Sequence, residues 1–159
     1  MKALAQLVGK LLELIVVVIL SAMSILVFVN VVLRYGFNSS ISVTEEVSRY
    51  MFVWLAFLGA VLAFSENQHV RVTMLTDKLS PIARNLLSIV TDLAMLFCCY
   101  LIVDGSWIQF NLNLNNFAPI SGLPQGITFL ASTVAGVLIG LLIIARIVAT
   151  VGVIAKGEK

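Results

Sequence analysis

Residues 11–33 read LLELIVVVILSAMSILVFVNVVL, an apolar run interrupted only by Glu13 near its start and Asn30 near its end. A hydrocarbon core about 30 Å thick requires about 20 apolar residues in helical form, so this run is long enough to cross a bilayer. Working outward from it, three further runs of that kind appear, at residues 47–64, 86–108 and 127–151. The chain is therefore expected to be an all-α membrane protein, with four transmembrane helices forming a single four-helix membrane domain over residues 1–159. Composition agrees: 60% of the residues are hydrophobic and 11% charged, whereas soluble domains average about 45–50% apolar and about 25% charged.

Lys2 and Lys10 precede the first run, which is also how a signal peptide begins. The run is too long for a signal-peptide core, however, and no A-x-A-like cleavage site follows it, so it is expected to remain in the mature protein. The other basic residues set an orientation, because cytoplasmic flanks retain positive charge. Lys2, Lys10, Arg71, Lys78, Arg84, Arg146, Lys156 and Lys159 fall on one side, and only Arg34 and Arg49 on the other. Both termini are thus expected to be cytoplasmic. The third connection, from about Asp104 to Gly126, contains no Lys or Arg and is expected to be an outward polar loop broken by turn formers, with Trp107 as an interfacial anchor.

A net charge of +2 provides no basic footprint for nucleic acid, which is excluded as a partner. The adjacent Cys98 and Cys99 lack the spacing of a redox pair or a metal knuckle and are read as small packing residues. One histidine, His69, cannot supply both axial ligands of a bis-histidine haem. It is read as a loop-organising side chain beside Glu66, Asn67 and Gln68. No cofactor, metal or catalytic set is expected, and the chain is not expected to be an enzyme.

Several residues stand out against the apolar background. Ser42-Val43-Thr44-Glu45 has the spacing of a capping box, which would start the second helix near Ser42. Glu45 and Glu46 lie four and three residues before Arg49, so an ion pair along that helix is possible. With Arg34 these residues form a candidate outward docking surface. Asp92 lies six residues inside the third run, where an unpaired carboxylate costs about 2.5–3.5 kcal/mol. Arg146 is its expected partner, and Asp104 has a weaker claim on Arg49 or Arg34. Small residues recur at contact spacing, Ala56, Gly59, Ala60 and Ala63 on the second span and Gly136 and Gly140 on the fourth. Such positions let helices approach closely where lipid offers no hydrophobic drive.

The stretch Asn30-Val31-Val32-Leu33-Arg34-Tyr35, with Glu45-Glu46, Arg49, Trp54-Leu55-Ala56-Phe57-Leu58-Gly59-Ala60 and His69, resembles the DctQ-type small membrane subunit of tripartite ATP-independent periplasmic (TRAP) transporters. The Gly122-Leu123-Pro124 turn before the last span is similar too. Val43 and Thr73 stand where that family often has Trp and Asp. The resemblance implies a multi-pass protein of the bacterial inner membrane that braces the scaffold of a large multi-span subunit. It also implies a sodium-driven import of organic anions, of the C4-dicarboxylate or sialic acid type, delivered by a periplasmic binding protein.

The spans themselves point the same way: transporters place their sites at broken helices near the midplane, and spans one, two and four show no midplane proline or polar break. The competing reading is a self-sufficient four-helix exporter of the small multidrug type, working as a homodimer around a membrane carboxylate. Glu13, three residues after Lys10, sits too near the edge to be that carboxylate.

Overall fold

The computed structural model describes residues 2–39, 41–66 and 81–155. They form four helices, α1 (Lys2–Gly36), α2 (Ser42–Glu66), α3 (Pro81–Leu112) and α4 (Gly126–Ala155). Each contains a stretch long and apolar enough to cross a membrane.

All four helices outrun their apolar cores. At 1.5 Å per residue, the 35 residues of α1 extend about 52 Å, well beyond the hydrocarbon thickness. The third helix also outruns its expected span of 86–108: residues 109–112, placed above in the outward loop, are helical in the structure. The asparagines there do not break the helix, because they bond back onto it: Asn111 Nδ2 donates to the Trp107 carbonyl at 2.8 Å and Asn113 Nδ2 to that of Gln109 at 2.9 Å. Within the spans, hydroxyls are absorbed in the same way. Thr91 Oγ1 donates to the Leu87 carbonyl at 2.8 Å and Thr150 Oγ1 to that of Arg146 at 3.0 Å, so these two hydroxyl protons are satisfied within their own helices.

The helices pack in the order α1, α2, α4, α3. α4 lies along α3 over its most extensive contact and also along α2, while α1 lies against α2. The buried positions are mostly small, among them Ala131, Thr133, Ala135, Gly136 and Gly140 of α4. Large side chains such as Phe28, Phe52, Leu86 and Phe97 point outward. This is the arrangement that lipid favours: packing in the interior depends on close backbone approach, and bulky apolar groups face the acyl chains. No residue of α1 with a described side chain is buried.

The short connection between α3 and α4 is a tight structure. Phe117 and Pro124 form an antiparallel bridge. Ala118 N donates to the Leu123 carbonyl at 2.8 Å, Gln125 N to that of Asn116 at 2.8 Å and Gly126 N to that of Asn113 at 3.1 Å. Gly122, at φ +68°, turns the chain through a conformation that a side chain would strain. We call this end of the bundle, shared with the α1–α2 turn, the loop end.

Candidate functional site

At the end opposite the loops, α4 presents Arg146 to Asp92 of α3. Arg146 Nε donates to Asp92 Oδ2 at 3.1 Å, and its Nη2 donates to Oδ1, so the guanidinium grips the carboxylate with both prongs. Asp92 is 2% exposed. The same guanidinium lies 5.4 Å from the Phe64 ring centroid on α2 and 3.8 Å from Met95 Sδ on α3. One arginine thereby joins three helices. The arrangement holds charge in place; among the described residues it includes no second titratable group that could relay a proton.

At the loop end, the acidic pair divides. Glu46 turns inward and is buried, and its Oε2 accepts a hydrogen bond from Ser121 N at 2.5 Å. This ties α2 to the α3–α4 loop, and Tyr50, one turn further on, donates its hydroxyl to the Leu123 carbonyl at 3.5 Å. Glu45 faces the other way, its Oε1 3.9 Å from Arg34 Nη1 on α1. Neither glutamate makes the ion pair with Arg49 considered above. Arg49 is exposed and makes no ion pair with any described residue. Of the four, Arg34, Glu45 and Arg49 are exposed and Glu46 is buried.

The start of α2 explains why Glu45 is available. In place of the Ser42–Glu45 capping box, Ile41 occupies the cap: its carbonyl accepts from Thr44 N at 3.0 Å and also from Thr44 Oγ1. In a capping box the third helical side chain returns to the cap N–H. Here Asn30 of α1 does so, its Oδ1 accepting from Ile41 N at 3.1 Å. The glutamate is thereby released toward Arg34.

The two sets of small residues also differ. Gly136 is pressed against α3, where a Cβ would lie 2.8 Å from Val103 Cγ2, and a Cβ on Gly140 would meet Leu96 and Cys99 at 3.9 and 4.0 Å. Beside them Thr133 Oγ1 donates to Ser106 Oγ at 2.9 Å, a buried link between α4 and α3. On α2, by contrast, Ala56, Ala60 and Ala63 are exposed, and a Cβ on Gly59 would meet nothing within 4 Å. Cys99 lies on the packed side of α3 and Cys98 on its exposed side. Asp104 and Glu13 are exposed, and Asp104 reaches neither Arg49 nor Arg34. His69 lies outside the described residues, which contain no group of three potential metal ligands.

Sequence reasoning missed Ser121, Tyr50 and the Ser106–Thr133 pair. Ser121 contributes a backbone N–H, which every residue but proline has, so no residue type marks it. Ser106 and Thr133, the latter beside Ser132, are hydroxyls set in apolar runs, a signal that could have drawn attention to them.

Four membrane-length helices, charges paired within the bundle and small-residue faces define a multi-pass membrane protein of the helix-packing kind. Over residues 23–152 the chain matches the family model of the tripartite ATP-independent periplasmic transporters' DctQ component. It belongs to that family, whose small permease subunits are components of transporters rather than enzymes. Two proteins of Haemophilus influenzae (strain ATCC 51907 / DSM 11121 / KW20 / Rd), each described as "Putative TRAP transporter small permease protein", are similar to it. One is 62% identical over 99% of this chain and 98% of its own length; the other is 30% identical over 84% and 81%. The isethionate TRAP transporter permease protein DctMQ of Oleidesulfovibrio alaskensis (strain ATCC BAA-1058 / DSM 17464 / G20) is 26% identical over 68% of this chain but only 17% of its own.

Proposed function

We propose that this chain is the small, non-catalytic subunit of a sodium-driven importer of organic anions in the bacterial inner membrane. Both termini would be cytoplasmic, and the chain would brace the static scaffold of a large multi-span subunit. The observation that carries the reading is the open face of α2, where Ala56, Gly59 and Ala60 are spaced for helix contact and no described residue of this chain fills it. In lipid, small residues on an outward face forgo packing that larger ones would gain, so such a face suits another helix. The DctMQ relative, in which the matching region is a minor part of a much longer permease chain, supports a large membrane subunit as that partner. A C4-dicarboxylate or a sialic acid fits the family's chemistry as substrate, with a periplasmic binding protein to deliver it.

The test is reconstitution. Co-expressed with the large subunit, the chain is expected to co-purify with it, and uptake in proteoliposomes should require both together with the binding protein. Transport by the chain alone in liposomes would overturn the reading and favour the homodimeric exporter.

A docking role for the loop end now rests on Arg49, because Glu46 is committed to Ser121 and Glu45 faces Arg34. Arg49→Glu should lower binding-protein-dependent uptake more than it lowers co-purification of the two membrane subunits. An equal loss of both would remove the docking role.

A further inference from the structure

Between α1 and α2, at the loop end, lies an open groove of about 240 Å³. Val27, Asn30, Val31 and Arg34 line it from α1, and Glu45 and Ser48 from α2. On α1 these positions follow the spacing of one helix face, and they grade from apolar at Val27 and Val31 to charged at Arg34. The groove therefore runs from the acyl-chain depth of the membrane to the level of its headgroups.

Three features show what it is suited to hold. The Arg34–Glu45 pair is 3.9 Å apart, and its side chains are 64% and 60% exposed. A pair so long and so wet contributes little by itself, so separating it to admit a ligand costs little. Ser48 Oγ is buried with no hydrogen-bond partner among the described residues, and a buried polar atom of that kind calls for one. Asn30 has already committed its Oδ1 to Ile41 N, which leaves its NH2 group to donate.

We propose that this groove binds a zwitterionic phospholipid whose headgroup ends in a primary amine. Arg34 takes the phosphate, Glu45 the ammonium, Ser48 and Asn30 the glycerol-ester oxygens, and one acyl chain lies along Val27 and Val31. A cation and a carboxylate side by side match a headgroup with both charges and no net charge. An anionic headgroup would leave Glu45 facing negative charge, and a choline headgroup has no N–H to donate to it. The lipid would also fill the space beside α1, where none of the described side chains is buried. This inference depends only on the chain crossing a bilayer and not on its transport role.

The test is native mass spectrometry of the full chain in mild detergent, alone and in complex with the large subunit, titrated with phosphatidylethanolamine, phosphatidylglycerol and phosphatidylcholine. Phosphatidylethanolamine is expected to be retained on the order of tenfold better than the other two, the worth of one charge-assisted hydrogen bond. Retention should fall stepwise through the mono- and dimethylated ethanolamine lipids as N–H donors are removed, a comparison that needs no variant. Glu45→Gln should erase the preference over choline, and Arg34→Gln should weaken all three lipids. Asp104→Asn, exposed on α3 and outside the groove, should leave lipid retention unchanged. Equal retention of the three lipids, or a preference that survives Glu45→Gln, would overturn the proposal. So would a lipid held by the chain alone but absent from the complex, since the partner's side chains would then fill the groove.

Discussion

Gly136 and Gly140 of α4 lie against Val103, Leu96 and Cys99 of α3, whereas Gly59 of α2 has nothing within 4 Å of where a Cβ would stand. Both faces carry small residues at helical spacing and both sit in apolar runs. Among the described residues only the first is filled from within the chain, and there the contact is reinforced by Asp92–Arg146 and Ser106–Thr133. Small-residue spacing thus marks where a helix can be approached closely, while the partner that approaches is decided by what else the face can bond. The α3–α4 pair is a finished interface and the α2 face an unfinished one.

The largest effect should come from breaking the finished interface at its charge pair. Arg146→Met leaves Asp92 ionisable, buried and alone, and removing one partner of a buried pair costs about 3–5 kcal/mol. Thermal unfolding in detergent, followed by circular dichroism, should report that loss. The double substitution Asp92→Leu/Arg146→Met should recover most of it, because no charge is then stranded. A double variant as unstable as the single one would show that Arg146 acts mainly through Phe64 and Met95.

Next in size is the glycine contrast itself. Gly136→Leu must push Val103 aside and should cost about 1–3 kcal/mol by overpacking. Gly59→Leu meets open space and should stay within about 0.5 kcal/mol of the parent in the same unfolding assay. If the two substitutions destabilised the isolated chain equally, the distinction between the faces would fail.

Smaller still for the chain, but large for the assembly, is Ala60→Trp on the open α2 face. It should leave unfolding of the isolated chain unchanged while reducing co-purification of the large subunit on the order of tenfold, which corresponds to about 1.4 kcal/mol. A variant that assembles normally would place the large subunit on another face.

These contrasts show what the linear sequence could reveal. The four spans were legible because each is an apolar run of bilayer length, and little else satisfies that many apolar side chains. Asp92 and Arg146 were conspicuous as charges set well inside such runs, each requiring an opposite neighbour. Helix ends were harder to read, because Asn111 and Asn113 bond to the carbonyls four residues back and extend α3 through a segment whose composition looks like loop. Glu46 was read as an outward charge because its partner is the backbone N–H of Ser121, 75 residues away. α2 does start at Ser42 as its sequence suggests, but the partners of its cap were misjudged for a related reason, since Asn30 of the preceding helix takes the part expected of Glu45. In each case the deciding group was a backbone atom or a distant side chain with no local signature.

The finest form of the comparison lies in two adjacent cysteines, and it concerns what burial is worth inside a membrane. Cys98 is exposed on α3, while Cys99 stands on the side that meets Gly136 and Gly140. In water, burying a group the size of a methylene stabilises by about 0.8 kcal/mol through removal of apolar surface. In lipid that term disappears, since the acyl chains are as apolar as the helix, and only the packing of the sulfur against α4 remains. Cys99→Ala should therefore cost less than about 1 kcal/mol, and Cys98→Ala should be indistinguishable from the parent in the same unfolding assay. The rates of thiol modification in the folded chain should separate more clearly than the stabilities, with Cys98 reacting first, because access differs between the two sides of α3 even where energy hardly does. Equal rates would mean that α3 and α4 part often enough to expose the side that carries Cys99, and the α3–α4 pair would then be no more finished than the open face of α2.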